Sequence, residues 1–298
     1  MKSWIKAFRL RTLPLAFSGW LIGVTLAGNE VALNYVIAGL TLLTAIFLQI
    51  LSNLANDYGD ASSGVDDNRT GEERMVSSGR ISAQAMKNAM VIFSILSFIA
   101  GLILLYLSFE NDFVSAVVFL IIGLVGIGAA IKYTVGKNPY GYAGFGDAFV
   151  FVFFGVVLVF GSYYLQTQTL NWEVLLPAFS MGFFSVGVLN VNNIRDIETD
   201  KMAGKNSLPV RMGREAAIRY HIMLLQGGLL LSIIFVILNF QSWIGFLFVL
   251  VNVPFIKHIK AVKNKPSKEL DPHLKQMAIS TLIFSLLFSV GQILSFFI

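Results

Sequence analysis

Asparagines and aspartates recur at helical spacing in two stretches of this chain. The first is Asn53-Leu-Ala-Asn-Asp-Tyr-Gly-Asp60, running on to Asp66 and Asp67, and the second is Asn192-Asn-Ile-Arg-Asp-Ile-Glu-Thr-Asp200. Read as helix, Asn53, Asp57 and Asp60 fall at i, i+4 and i+7, while Asn192, Asp196 and Asp200 fall at i, i+4 and i+8, so each set shares a face. Carboxylates crowded on one face repel, and the repulsion is relieved by raised pKa values or by a cation. Each stretch lies where a long apolar run meets a charged segment, where burying a carboxylate is already costly. A divalent ion is the economical answer to both problems.

The two stretches look like copies. A shift of 134 positions lays Asn56 on Asn190, Asp66 on Asp200, Val76 on Val210, Gly79 on Gly213, Arg80 on Arg214 and Ala83 on Ala217. A duplication of this kind within one domain spanning residues 1–298 would set the two acidic faces in equivalent, opposed positions.

The elements that must position these faces are membrane helices. Of the 298 residues 56 % are hydrophobic and 13 % charged, about half the charge of a soluble domain, and the mean hydropathy is +0.73. Runs near 20 residues place nine helices at about 12–28, 31–54, 86–108, 113–131, 147–165, 174–192, 217–239, 242–259 and 274–297. The expected fold class is therefore an all-α polytopic membrane protein. All 22 Lys and Arg fall in alternate connections: the N-terminus, 55–87, 132–146, 193–219 and 257–275. The intervening connections, near Glu30, Glu110, Glu173 and Gln241, hold none. By the positive-inside rule the N-terminus and both acidic stretches face the cytoplasm and Ile298 lies outside. This distribution accounts for the net charge of +5 through topology and lipid headgroups, so no nucleic-acid partner is called for. With no cysteine the chain has neither disulfide nor thiolate metal ligand, and its three histidines, far apart in sequence, show no metal-ligand spacing.

Three further features bear on a ligand. Gln49 precedes Asn53 by one turn on the same stripe, a polar group aimed at the bundle interior. The segment Lys132 to Asp147 is glycine-rich, basic and aromatic; Lys132 and Lys137 are placed to meet phosphate oxygens and tyrosines such as Tyr133 to line an aromatic pocket. After Asp200 come Lys201, Lys205, Arg211 and Arg214, which suit a polyanion held partly by metal and partly by direct charged hydrogen bonds. Two carboxylate faces, basic loops around them and an apolar interior behind them describe a site for a diphosphate with an apolar tail.

These motifs, in this order and topology, resemble those of the UbiA superfamily of intramembrane aromatic prenyltransferases. The stretches 53–60, 140–147 with 161–167, and 192–205 with 208–213 are most similar to members that prenylate 1,4-dihydroxy-2-naphthoate. The resemblance implies nine helices around a central cavity and Mg2+ held by Asp57, Asp60, Asp196 and Asp200, with Asp66 or Asp67 as a further carboxylate, the repeat favouring Asp66. It implies Asn53, Asn56 and Asn192 in support, and Arg74, Lys132, Lys137, Arg195 and Lys201 as diphosphate contacts. The implied reaction moves a polyprenyl group from its diphosphate to the naphthoate with loss of CO2, giving demethylmenaquinone. Other aromatic acceptors, 4-hydroxybenzoate or homogentisate, and a cation-coupled transporter remain as alternatives.

Overall fold

Apolar runs of about 20 residues satisfy their backbone within a membrane by coiling into helices. The structure, a computed structural model, describes residues 2–64 and 73–297. Among the described residues, eight helical stretches are long and apolar enough to cross a membrane, and one apolar helix is shorter. In chain order they are α1 (Leu13–Gly28, the shorter one), α2 (Tyr35–Ser62), α3 (Ala83–Ser108), α4 (Phe113–Lys132), α5 (Gly146–Thr167), α6 (Trp172–Arg195), α7 (Arg214–Leu238), α8 (Trp243–Asn264) and α9 (Asp271–Phe297). The nine expected helices are all present. The main difference is at the end of α2, which runs to Ser62 rather than stopping near residue 54, so Asp57 and Asp60 are helical residues and not part of a loop.

Local chemistry starts these helices. The side chain of Asn34 accepts from the amides of Val36 and Ile37 at 3.0 and 3.2 Å, Ser82 caps α3 through Ala85, and Asp112 caps α4 through Ser115. Pro14 enters in the first turn of α1, where its missing N–H costs nothing. Two helices depart from α geometry. The stretch Phe151–Phe160 of α5 is a π-helix, and α8 opens with 3₁₀ turns over Trp243–Val251.

Helix α6 is the axis of the bundle, with 72 % of its apolar stretch buried, against 11 % for the peripheral α4. It packs on α5, α7 and α9, while α2 packs on α3 and α1 on α9 and α5. The main core joins Ile22, Tyr163, Met181, Phe184, Phe248, Phe284 and Phe288. Close approach of α5 to α6 depends on glycine, since a Cβ on Gly155 would lie 2.6 Å from the carbonyl oxygen of Ala178 and 2.7 Å from Cα of Gly182. Along the outer faces of α3 and α4, Ile92, Ile95, Ile99, Ile103, Val118, Ile121 and Val125 are exposed, as a lipid-facing surface requires.

Candidate active site

A cavity of about 350 Å³ lies among α1 to α6. At one end it is polar, lined by Arg9, Arg11, Asn53, Asn56, Asp60, Arg74, Tyr133, Asn192 and Lys205; at the other, Leu104, Phe119 and Leu165 make it apolar. Its polar end is therefore built from both acidic stretches.

Asp60 sits on the last turn of α2 and is 2 % exposed. Its Oδ2 accepts from Arg74 Nη2 at 2.6 Å and its Oδ1 from the Tyr142 hydroxyl at 2.8 Å. The Tyr142 ring in turn has Lys205 Nζ 5.7 Å from its centroid, a cation–π distance. Lys205 Nζ lies 3.4 Å from Oδ1 of Asp200. Asp60, Tyr142, Lys205 and Asp200 thus form one continuous chain of contacts between residues 140 positions apart. The turn that delivers Lys205 is closed by its amide, which donates to the Asp200 carbonyl at 2.8 Å, and the neighbouring Asn206 amide donates to the Tyr142 carbonyl at 2.9 Å.

Asp196 is held differently. Arg195 grips it with two bonds, Nε to Oδ1 and Nη2 to Oδ2, each 2.7 Å, and the same guanidinium donates to Asn192 Oδ1 at 2.9 Å and to Asp271 at the start of α9. Asp196 and Asp200 stand behind the cavity wall; the side chains of that stretch on the wall are Asn192 and Lys205. The Asp200 carboxyl is raised to about 6: burial pushes it up most, Lys205 pulls it down, and the neighbouring Asp196 and Asp60 push it up. Asp196 and Asp60 are thus near enough for their charge to be felt at Asp200. Burial raises the Tyr133 phenol well above its usual range, and the negative field of Asp147, Asp60 and Asp200 adds to this.

Asp57 has another task. Its Oδ2 and Oδ1 accept from the backbone amides of Met75 and Val76, each at 2.9 Å, so it ties the returning loop to α2. It stands about 60° round the helix from Asp60, on the same side of α2, and like Asp196 and Asp200 it is not on the cavity wall. Lys132, Lys137 and Lys201 are exposed and off the cavity wall, and Arg195 is buried on Asp196 and Asp271. Arg74, Tyr133, Asn53, Asn56 and Asn192 lie on the wall. Asp66 and Asp67 lie outside the described residues.

Two wall asparagines are fixed by neighbouring segments. Asn53 Nδ2 donates to the Phe8 carbonyl at 3.0 Å and to Thr12 Oγ1 at 3.1 Å, and Thr134 Oγ1 reaches Asn56 Oδ1 at 3.2 Å. The loop carrying Thr134 can approach because Gly59 has no side chain; a Cβ there would lie 2.6 Å from the Thr134 carbonyl oxygen. Tyr142 carries no signal in the sequence beyond its place in an aromatic segment. Lys205 carried a signal, as one of four basic residues soon after Asp200, but its contact with Tyr142 bridges two loops that no spacing relates.

The chain matches the UbiA prenyltransferase family over residues 15–282. It belongs to that family. Among curated relatives of this UbiA-family chain, the 1,4-dihydroxy-2-naphthoate octaprenyltransferase of Haemophilus influenzae is 41 % identical, covering 99 % of this chain and 96 % of that protein. The protein of the same name from Escherichia coli is 42 % identical with the same coverage. Solved structures share the fold. A UbiA homologue from Aeropyrum pernix superposes with a TM-score of 0.70 at 16 % identity, covering 99 % of this chain and 98 % of that one. A homologue from Archaeoglobus fulgidus, bound to DMAPP and Mg2+, gives 0.66 at 15 % identity, covering 99 % of each chain. The UbiA-family chain is thus an integral membrane prenyltransferase.

Oxygen donors and no thiolate suit magnesium, which takes one or two protein carboxylates and completes its shell with phosphate oxygens. Among the described residues no three carboxylates and histidines are grouped closely enough to hold one ion. The buried carboxylates Asp60 on one side and Asp196 with Asp200 on the other fit ions shared with a diphosphate rather than a cage made by protein alone.

Proposed function

We propose that this chain transfers a polyprenyl group from polyprenyl diphosphate to 1,4-dihydroxy-2-naphthoate, with loss of CO2, giving demethylmenaquinone. The observation that carries the reading is the meeting of both acidic stretches, through Tyr142 and Lys205, at the mouth of a cavity whose other end is apolar. The acceptor is supported by the relatives above, whose names specify the naphthoate.

Asp60, Asp196 and Asp200 would hold Mg2+, with Asp57 anchoring the loop that brings Arg74 to Asp60. When bound, magnesium neutralises charge on the departing diphosphate. Arg74 and Lys205 set fixed cations beside the same oxygens and strengthen that charge neutralisation. The apolar wall keeps water from the allylic cation left on the tail, and aromatic faces such as Tyr133 stabilise it. The tail lies toward Leu104, Phe119 and Leu165. Following the positive-inside count, the polar end faces the cytoplasm. The two halves are read as a duplication: α2 with α3 and α6 with α7 each form a helix, an acidic end and a second helix, and Gly79 and Gly213 both take positive φ before that second helix.

Membranes containing the protein, given labelled polyprenyl diphosphate, the naphthoate and magnesium, are expected to form a labelled lipid quinone. EDTA should abolish it and excess magnesium restore it. Labelled product from 4-hydroxybenzoate but none from the naphthoate would overturn the acceptor assignment.

A further inference from the structure

Three buried side-chain oxygens of cavity-lining residues, on Gln49, Ser162 and Ser185, have no hydrogen-bond partner among the described residues, and those of Gln49 and Ser185 lie on the two helices that carry the acidic stretches. Gln49 on α2 is 5 % exposed and lines the cavity. Its Nε2 donates to the backbone carbonyl of Thr12. A carbonyl can only accept, so this bond fixes which end of the amide faces Thr12 and leaves Oε1 an acceptor with no hydrogen-bond partner among the described residues. Ser185 on α6 lines the same cavity, is 1 % exposed, and its Oγ likewise has no partner there.

Many buried hydroxyls of this bundle find a local outlet. Ser18, Thr41, Ser97 and Thr281 each donate to the carbonyl four residues earlier, the usual local outlet for a helical hydroxyl. Ser185 does not take that outlet, nor do Ser108, Ser162, Ser289 and Ser295, and among these five Ser162 and Ser185 line the cavity. An unsatisfied buried oxygen is costly, and a protein retains one where something else completes it.

The placement of Gln49 and Ser185 indicates what that partner is. Gln49 precedes Asn56 by seven residues and Ser185 precedes Asn192 by seven, so each lies two turns, about 10 Å, deeper than the asparagine on its own helix. They stand at matching depth on the two helices that carry the acidic stretches. An aromatic ring alkylated here must bring its carbon to about 3–3.5 Å from the prenyl carbon bonded to the diphosphate, and so lies just inside the polar end. Gln49 and Ser185 line the cavity on the inner side of the asparagines.

We propose that Gln49 Oε1 accepts a hydrogen bond from one hydroxyl of a para-dihydroxy aromatic acceptor and that Ser185 Oγ meets the other, so that the pair selects a diol over its singly blocked analogues. This rests on the prenyl-transfer reading above and adds to it the groups that recognise the ring. A hydroxyl whose proton is engaged by the amide oxygen releases more electron density into the ring, which favours attack by the ring carbon. A site built to accept a hydroxyl proton rejects an analogue lacking it far better than an apolar pocket rejects a small change in size.

The test compares wild type, Gln49→Met and Ser185→Ala, each with 1,4-dihydroxy-2-naphthoate and with its two mono-O-methyl ethers, at fixed prenyl diphosphate. Wild type should prefer the diol over each ether by about a hundredfold in kcat/KM. Gln49→Met should lose about tenfold or more with the diol and shrink the preference over one ether to about threefold. KM for the prenyl diphosphate should stay unchanged. Ser185→Ala, which leaves the Gln49–Thr12 bond in place, should shrink the preference over the other ether. Undiminished diol preference in both variants overturns the proposal, as does a wild type indifferent to methylation. If Gln49→Met does not accumulate in the membrane, Ser185→Ala and the wild-type preference decide. A wild type that does not prenylate the diol at all defeats the prenyl-transfer reading instead, so the two failures are separable.

Discussion

Asp57 and Asp60 are three residues apart on one helix, yet their surroundings give them different tasks. Asp60 pairs with Arg74 and Tyr142 at the cavity, so Asp60→Asn should lower turnover by about a hundred- to a thousandfold while the protein stays folded in the membrane. Asp57→Asn replaces one of the oxygens facing Met75 and Val76 with an amide nitrogen, which cannot accept, and should cost about 1–3 kcal/mol of stability. Its activity should fall less than that of Asp60→Asn. Turnover assays beside thermal unfolding in detergent distinguish the two, and equal losses of activity would place both in one ligand set. Helical spacing reveals that such carboxylates are near each other. It does not reveal that a loop 18 residues on comes back to claim one of them. The lysines make the same point: Lys132, Lys137, Lys201 and Lys205 look alike in sequence, but only Lys205 is buried, because the turn after Asp200 folds it back over Tyr142.

At the scale of elements, hydropathy located all nine helices, since each apolar run is long enough to declare itself. What it could not express was departure from regular geometry. The π-helical stretch of α5 contains Phe151-Val-Phe-Phe-Gly-Val-Val-Leu-Val-Phe160, almost uniformly apolar, so no periodicity distinguishes one helical pitch from another. Its wider turn presents Phe153, Phe154, Val157 and Leu158 to the cavity, while Gly155 meets Gly182 on the other side. A side chain at that contact has nowhere to go, because the atoms it would meet are backbone. Gly155→Val should therefore cost about 1–3 kcal/mol or more, read as a lower unfolding temperature in detergent. Unchanged stability would mean that α5 and α6 can part without penalty.

For the molecule as a whole, the cavity couples a charged mouth to an apolar interior, and its interior length should limit the tail. Gly101 on α3 and Gly123 on α4 line it, and a Cβ on either meets no atom within 4 Å. Gly123→Phe should fill that space, so kcat/KM with octaprenyl diphosphate falls about tenfold or more while geranyl diphosphate is used nearly as before. Equal losses with both substrates would place the tail elsewhere. The same end of the bundle as the charged mouth, behind α6, holds a contact that spacing concealed entirely. His221 on α7 and His258 on α8, 37 residues apart, bring their Nε2 atoms to 3.1 Å within the core. Two like nitrogens can share a hydrogen bond only if one carries the proton and the other a lone pair, so when both rings are neutral one is the Nε2–H tautomer and its neighbour the Nδ1–H tautomer. Two side chains of one residue type are thereby made unequal, and the seam between these helices has a polarity that no apolar pair could confer.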